Sequence, residues 1–163
     1  MSGYTTRADN GEIIFQPDQL TLVGIVDADQ SVTNSATLVT VPAFTLPVGS
    51  RERYLLRYTI FFTTTATGDL KTRVDIPASP TLFRQASWCQ PGGHTALTTP
   101  ALLTAEADQS FTHTGAEGIL VINATLVNGA TAGSVLFQFA QDTATASESA
   151  VIRAGSYLEV RKF

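Results

Sequence analysis

Two histidines, His94 and His113, are the only side chains whose ordinary pKa lets them exchange protons near neutrality. His94 follows the single cysteine, Cys89, by five residues around Pro91-Gly92-Gly93, so a metal pair or a Cys–His nucleophile can be written there on spacing. A structural zinc centre needs about four ligands at recognisable intervals, and no second Cys/His pair exists. The plainer reading, a loop cysteine near a surface histidine, is preferred. The acids Asp69, Asp75, Glu106, Asp108, Glu117, Asp142 and Glu148 are scattered, and a glycosidase needs two of them facing across a cleft; spacing singles out no pair. Asp27-Ala28-Asp29 with Asp108 offers oxygen ligands but lacks the alternating loop and closing bidentate Glu of a calcium site. Gly129 and Gly133 fall between strands rather than before a helix, so no phosphate cradle forms. Asn123-Ala124-Thr125 spells a glycosylation sequon inside a strand and reads as chance. The expectation is no catalytic residue, no metal, no cofactor and no enzymatic activity.

Recognition leaves more to work with. Ile13-Ile14-Phe15 is the one apolar patch in an otherwise polar stretch, Met1 to Gln19. It reads as an arm that docks on a partner through that patch. Trp88 stands beside Pro91-Gly92-Gly93, read as a loop. It either pins the loop from a partly buried position or presents a flat ring to a sugar or protein. Ile13, Ile14, Phe15 and Trp88 are therefore the candidate partner-binding residues.

The elements that must position them are strands. Apolar residues recur at period two: Leu20, Leu22, Gly24 and Val26; Tyr54, Leu56, Tyr58, Ile60 and Phe62; Leu70, Thr72, Val74 and Ile76; Leu120, Ile122, Ala124 and Leu126; Val135, Phe137 and Phe139. The run from Ala36 to Leu46 carries Pro42, which makes it an edge strand or bends it. Ala66-Thr67-Gly68-Asp69 predicts a tight hairpin between the runs on either side. Ser79 to His113 is the weakest stretch; Thr99-Pro100 could start a short helix over Ala101 to Ala107. The pattern predicts an all-β antiparallel sandwich of about eight strands, with 1–19 as an extended N-terminal arm and 20–163 as one domain. Tyr54, Leu56, Tyr58, Phe62, Val74, Ile122, Phe137, Phe139 and Leu158 should fill it, with Phe83 and Phe111 unassigned.

Charged residues make up 15 % of the 163, against about 25 % in an average globular protein. A surface of hydroxyls and small side chains is cheap to desolvate against neighbours. The net charge is −4 with no basic run, which argues against nucleic acid as a partner. No apolar stretch approaches the ~20 residues of a membrane span, and no basic start with an apolar run marks a secretory signal. The expectation is a soluble protein made in a cytoplasm.

Two regions together resemble a known module. The first runs Ser31-Val32-Thr33-Asn34-Ser35-Ala36-Thr37-Leu38, then Phe44 to Gly49, the strand Tyr54 to Thr64, and Gly68-Asp69-Leu70-Lys71 leading to Val74-Asp75-Ile76-Pro77. The second runs from Gly118 to Asn128, Ala132 to Val135, Phe137-Gln138-Phe139-Ala140-Gln141, and Val151 to Arg161. This order resembles a β-sandwich module of structural proteins in tailed-bacteriophage virions. It departs at Leu38 to Val41, where Val39 and Val41 replace a polar stretch, and at Trp88-Cys89. The resemblance implies a jelly-roll-like fold and a virion structural protein assembled in a host cytoplasm. A capsid decoration or cement protein fits best, binding the major capsid protein or other virion proteins. A tail or head-fibre receptor- or carbohydrate-binding module is the alternative. By analogy it implies a homotrimer.

Overall fold

The computed structural model describes residues 21–65, 69–90, 101–111 and 117–163. The arm, with Ile13, Ile14 and Phe15, lies outside the described residues, as do His94 and His113. Thirteen strands are described: β1 (Thr21–Ile25), β2 (Gln30–Thr33), β3 (Val39–Thr40), β4 (Leu46–Val48), β5 (Arg53–Thr64), β6 (Leu70–Asp75), β7 (Leu82–Gln90), β8 (Ala101–Leu103), β9 (Gln109–Phe111), β10 (Gly118–Val127), β11 (Gly133–Gln141), β12 (Ser149–Ile152) and β13 (Tyr157–Lys162). The expected eight become thirteen for three reasons. Pro42 opens a single 3₁₀ turn, Pro42–Phe44, that splits one run into β3 and β4. Short β2 and β12 pair with each other. The weakly patterned middle supplies β7, β8 and β9.

The strands form two antiparallel sheets. The larger runs β1-β13-β5-β10-β7-β8, with β12 beside β5 and β2 beside β12; the smaller runs β3-β11-β6-β9, with β4 also on β11. Pairing follows a nested order. The first strand pairs the last, β1 with β13. Then β3 and β4 pair β11, β5 pairs β10, and β6 pairs β9. One long hairpin folded over so that successive pairs alternate between sheets gives this order, which is the jelly roll. The β7–β8 hairpin is inserted between β6 and β9 and widens the larger sheet beyond β10.

The nested order overturns two local expectations. β5 and β6 do not form a hairpin. Both edges of β5 are taken, by β10 on one side and by β13 and β12 on the other, so β6 crosses to the smaller sheet. Ala101 to Ala107 is not a helix. Ala101–Leu103 pairs with Gln85–Ser87, because the free edge of β7 offers hydrogen bonds that a one-turn helix could not match.

The core matches the alternation. Tyr54, Leu56, Tyr58, Ile60 and Phe62 on β5, Leu120, Ile122, Ala124 and Leu126 on β10, and Val135, Phe137 and Phe139 on β11 are all buried. At its centre Phe44, from the 3₁₀ turn, meets Tyr58 and Phe137 edge-on with centroids 5.8 Å apart in each case, while Tyr58 and Phe137 lie at 5.4 Å. One ring comes from each sheet and one from the turn between β3 and β4. β1 is where parity fails. The register against β13 shifts between Leu22 and Gly24, a bulge that turns the strand over. Thr21 and Val26 are buried, whereas Leu22 and Ile25 are 41 % and 44 % exposed. Gly24 is required there, because a Cβ would overlap the Ala43 carbonyl oxygen of the 3₁₀ turn.

The inward face of β7 reads Phe83, Gln85, Ser87, Cys89. Its two polar residues hide the strand from a hydrophobicity scan. They are satisfied across the sandwich: Gln85 Nε2 and Ser87 Oγ both donate to Gln109 Oε1 on β9, at 2.5 and 2.8 Å. Phe83 and Phe111 flank this group as core. Gln109→Ala leaves two buried donors without an acceptor, so chemical denaturation should show a loss of about 2–3 kcal/mol. Tyr58 tests the opposite case. Its hydroxyl is buried with no hydrogen-bond partner among the described residues, and burial pushes its pKa up. Tyr58→Phe should therefore unfold no more easily than the parent, or gain about 1 kcal/mol. A raised folded pKa means that the tyrosine favours folding below pH 10 and that this is lost as pH rises further. The variant should accordingly lose less stability than the parent above pH 10 in a denaturation series.

Candidate interaction surface

Among the described residues, those read from sequence as possible chemistry are dispersed or already engaged. Asp29 accepts from Arg153 at 2.6 Å and from the Ala154 N–H at 2.8 Å. Asp108 and Glu106 both take Arg73, at 2.6 and 3.4 Å. Burial raises the Glu106 pKa and neighbouring Asp75 adds to it, so these side chains form a surface ion cluster on the smaller sheet rather than two carboxylates across a cleft. Among the described residues no group of three or more His, Cys, Asp or Glu side chains is arranged to hold a metal. Asn123 is half-buried mid-strand, opposite Arg57 and Ala86. Cys89 is buried, and burial pushes its thiol up to about 11.

Sequence reasoning missed a polar knot at one end of the sandwich. Glu52 accepts from Lys162, from the Tyr54 hydroxyl and from the Gly49 N–H. Lys162 and then Tyr54 hold its carboxyl below the usual range. Asn128 Nδ2 donates to the Gly49 and Thr131 carbonyls at 2.7 and 2.9 Å. Lys162 to Glu52 and Asn128 to Gly49 join residues far apart in sequence, so no local pattern announces the knot as a whole.

The feature that stands out is the outer face of the larger sheet. Cross-strand register fixes which side chains share it. One row reads Ile25, Tyr157, Thr59, Val121, Trp88 across β1, β13, β5, β10 and β7. The next reads Phe61, Ile119, Gln90, and beyond it lies Ser31, Val151, Thr63. None of these eleven residues is charged. Ile119 is 38 % exposed; Trp88, Tyr157, Phe61 and Val121 are half-buried. Trp88 is thus on a strand, not in a loop as expected, and its ring joins an apolar band with Tyr157 and Val121. With about 4.8 Å between strands and about 6.8 Å between rows, these eleven positions give the face a projected area of roughly 360 Å². That is somewhat under half of the ~800 Å² that one partner contributes to a standard interface.

A second feature is an open groove of about 730 Å³ between β1, the β1–β2 connection and the 3₁₀ turn. Exposed Leu22 and Ile25 lie on its apolar side and Asp27 and Asp29 on its polar side. It abuts β1, an edge strand whose only partner among the described strands is β13.

No family model matches the chain, and no curated protein matches it. Solved structures of infectious bursal disease virus show a distant likeness. For the Gx strain the TM-score is 0.25 at 11 % identity over 94 % of this chain, and for the Gt strain 0.22 at 12 % over its full length. The chain spans less than half the length of either of those chains, 42 % and 45 %. Scores of that size fix neither fold nor role, which rest on the strand order and the surface.

The position of Cys89 gives a direct check of the packing under this face. A thiol with its pKa near 11 reacts slowly at pH 8, since the thiolate is the nucleophile. Labelling of the native protein with a disulfide reagent should be at least ten-fold slower than labelling in denaturant. The same raised pKa makes this site favour folding below pH 9, a contribution that is lost as pH rises toward 11.

Proposed function

We propose that the protein is a non-catalytic structural component of a virus particle, specifically a capsid decoration or cement protein of a tailed bacteriophage. In this reading it docks on the capsid surface through the uncharged outer face of its larger sheet. The observation that carries the proposal is that face: eleven uncharged side chains in three adjacent rows, with Trp88, Tyr157 and Ile119 among them. Apolar side chains in register on a flat sheet are costly to leave in water and stabilising once covered. The resemblance of Ser31 to Arg161, the weakly patterned middle excepted, to a phage virion module supports another virion protein as the occupant, and an N-terminal arm suits a decoration protein that clasps capsid subunits. The jelly roll suits the role as a scaffold, since it is common in particle-forming proteins without being confined to them. The arm, with Ile13, Ile14 and Phe15, would supply a second contact to a neighbouring subunit.

Trp88 also supports the alternative, a fibre module that binds carbohydrate, because a half-buried indole on an open face can stack on a sugar ring. The two readings separate in one set of measurements. Capsids mixed with the protein should retain it, and Ile119→Asp should weaken retention at least ten-fold, equivalent to about 1.4 kcal/mol, while the far-ultraviolet spectrum stays unchanged. Absence of the protein from purified particles together with no capsid binding would sink the decoration reading. Glycan-array binding that disappears in Trp88→Ala, with capsid binding absent, would establish the fibre reading instead.

A further inference from the structure

The other half of the same sheet face is of opposite character. Moving along β5 from Thr59 toward Arg53, the next rows read Glu159, Arg57, Asn123, Ala86, then Arg161, Leu55, Thr125, Arg84, then Arg53, Val127, Leu82. Four arginines from β5, β7 and β13 therefore point off one face. Arg53 and Arg57 stand four residues apart, about 14 Å. Arg161 and Arg84 flank Leu55 and Thr125 between them. Against four guanidiniums the patch holds one carboxylate, Glu159, and none of the four arginines has an acidic partner within 4.0 Å among the described residues. Arg161 has its Nε buried without a hydrogen bond among the described residues, and its guanidinium lies 5.7 Å from the Phe163 ring, a side chain 54 % exposed. The chain has ten basic and fourteen acidic residues. With four bases and one acid on this patch, six bases and thirteen acids remain for everything else.

We propose that this arginine half binds a second copy of the chain, on the groove beside its Asp75–Glu106–Asp108 carboxylates. Charge complementarity selects that occupant. The groove holds about 200 Å³ between Ile76, Pro77, Pro80, Phe83 and Ala105, with Glu106 on its rim. Glu106 and Asp108 share one guanidinium there, Arg73, with Asp75 crowding Glu106, so arriving arginines relieve crowding that the monomer leaves in place. Apolar parts match as well: Phe163 and Leu82 are exposed beside the arginines, and the groove is apolar. A flat patch with leucine at its centre and arginine at its corners has the make-up of a protein interface. A phosphate polymer would leave Leu55, Leu82 and Phe163 against charges. Donor patch and acceptor groove are different surfaces, so every copy offers both. This contact is independent of the capsid reading and is formed without a capsid.

The test is self-association of the full chain by sedimentation velocity, from about 50 mM to about 500 mM salt. The wild type should associate at low salt and dissociate as screening rises. Arg57→Glu/Arg84→Glu should raise the dissociation constant at least ten-fold, Glu106→Arg/Asp108→Arg should do the same, and an equimolar mixture of the two variants should recover association. Arg57→Gln/Arg84→Gln, which adds no new charge, guards against misfolding and should weaken association less. A wild type that stays monomeric at every salt concentration overturns the proposal. So does an arginine variant that associates as the wild type does, or a mixture that recovers nothing. A monomer that binds a polyanion such as heparin through these arginines assigns the patch to that class of ligand instead.

Discussion

The contact of Phe44, Tyr58 and Phe137 is where the sandwich closes. Tyr58 belongs to the middle of the larger sheet, Phe137 to the middle of the smaller one, and Phe44 to the turn between β3 and β4. Edge-on and tilted rings at 5.4–5.8 Å fill the space between sheets about 10 Å apart. The nested pairing follows from this closure. A chain whose fifth strand has both edges occupied must send its next strand to the other sheet, and the three rings, with the aliphatic side chains around them, cover both inner faces at once. The unpaired Tyr58 hydroxyl marks the cost of this arrangement. A phenylalanine would pack as well there, so ring volume rather than hydrogen bonding holds the position.

Period-two patterning made β5, β6, β10 and β11 legible, because each has one fully buried face and carries Tyr, Phe, Ile, Leu or Val at most inward positions. β7 was illegible for the converse reason. Half of its inward positions are Gln85 and Ser87, whose acceptor, Gln109, comes from a strand more than twenty residues away. β1 showed a regular pattern with the wrong parity, since the bulge that reverses it answers to Ala43, not to any neighbour in sequence. The β5–β6 connection failed as a hairpin because turn residues report that the chain turns, while the choice of partner is set by which edges are already taken. Local sequence carries periodicity; it does not carry edge occupancy.

The surface was the least legible part. Trp88 was singled out as a partner-binding residue, and the structure places it in an apolar band; the remaining members, Tyr157, Val121, Ile119 and Phe61, are drawn from three other strands and share nothing in sequence. The arginines behave in the same way. A search for a basic run finds none, and the net charge of −4 argues for an acidic surface throughout. Yet antiparallel register sets Arg161 and Arg84 on either side of Leu55. In a β protein, charge concentration is a property of rows across strands, and composition and runs along the chain are blind to it.

That difference bears on how one sheet face can serve two contacts. Its uncharged rows and its arginine rows follow one another along the same strands without interruption. Apolar rows bind by exclusion of water, a contact that salt leaves intact or strengthens. Arginine rows bind by charge, which salt screens within about 8–10 Å. Under the two proposals above, long-range attraction would orient copies before contact, and the uncharged rows would hold a separate partner by exclusion of water.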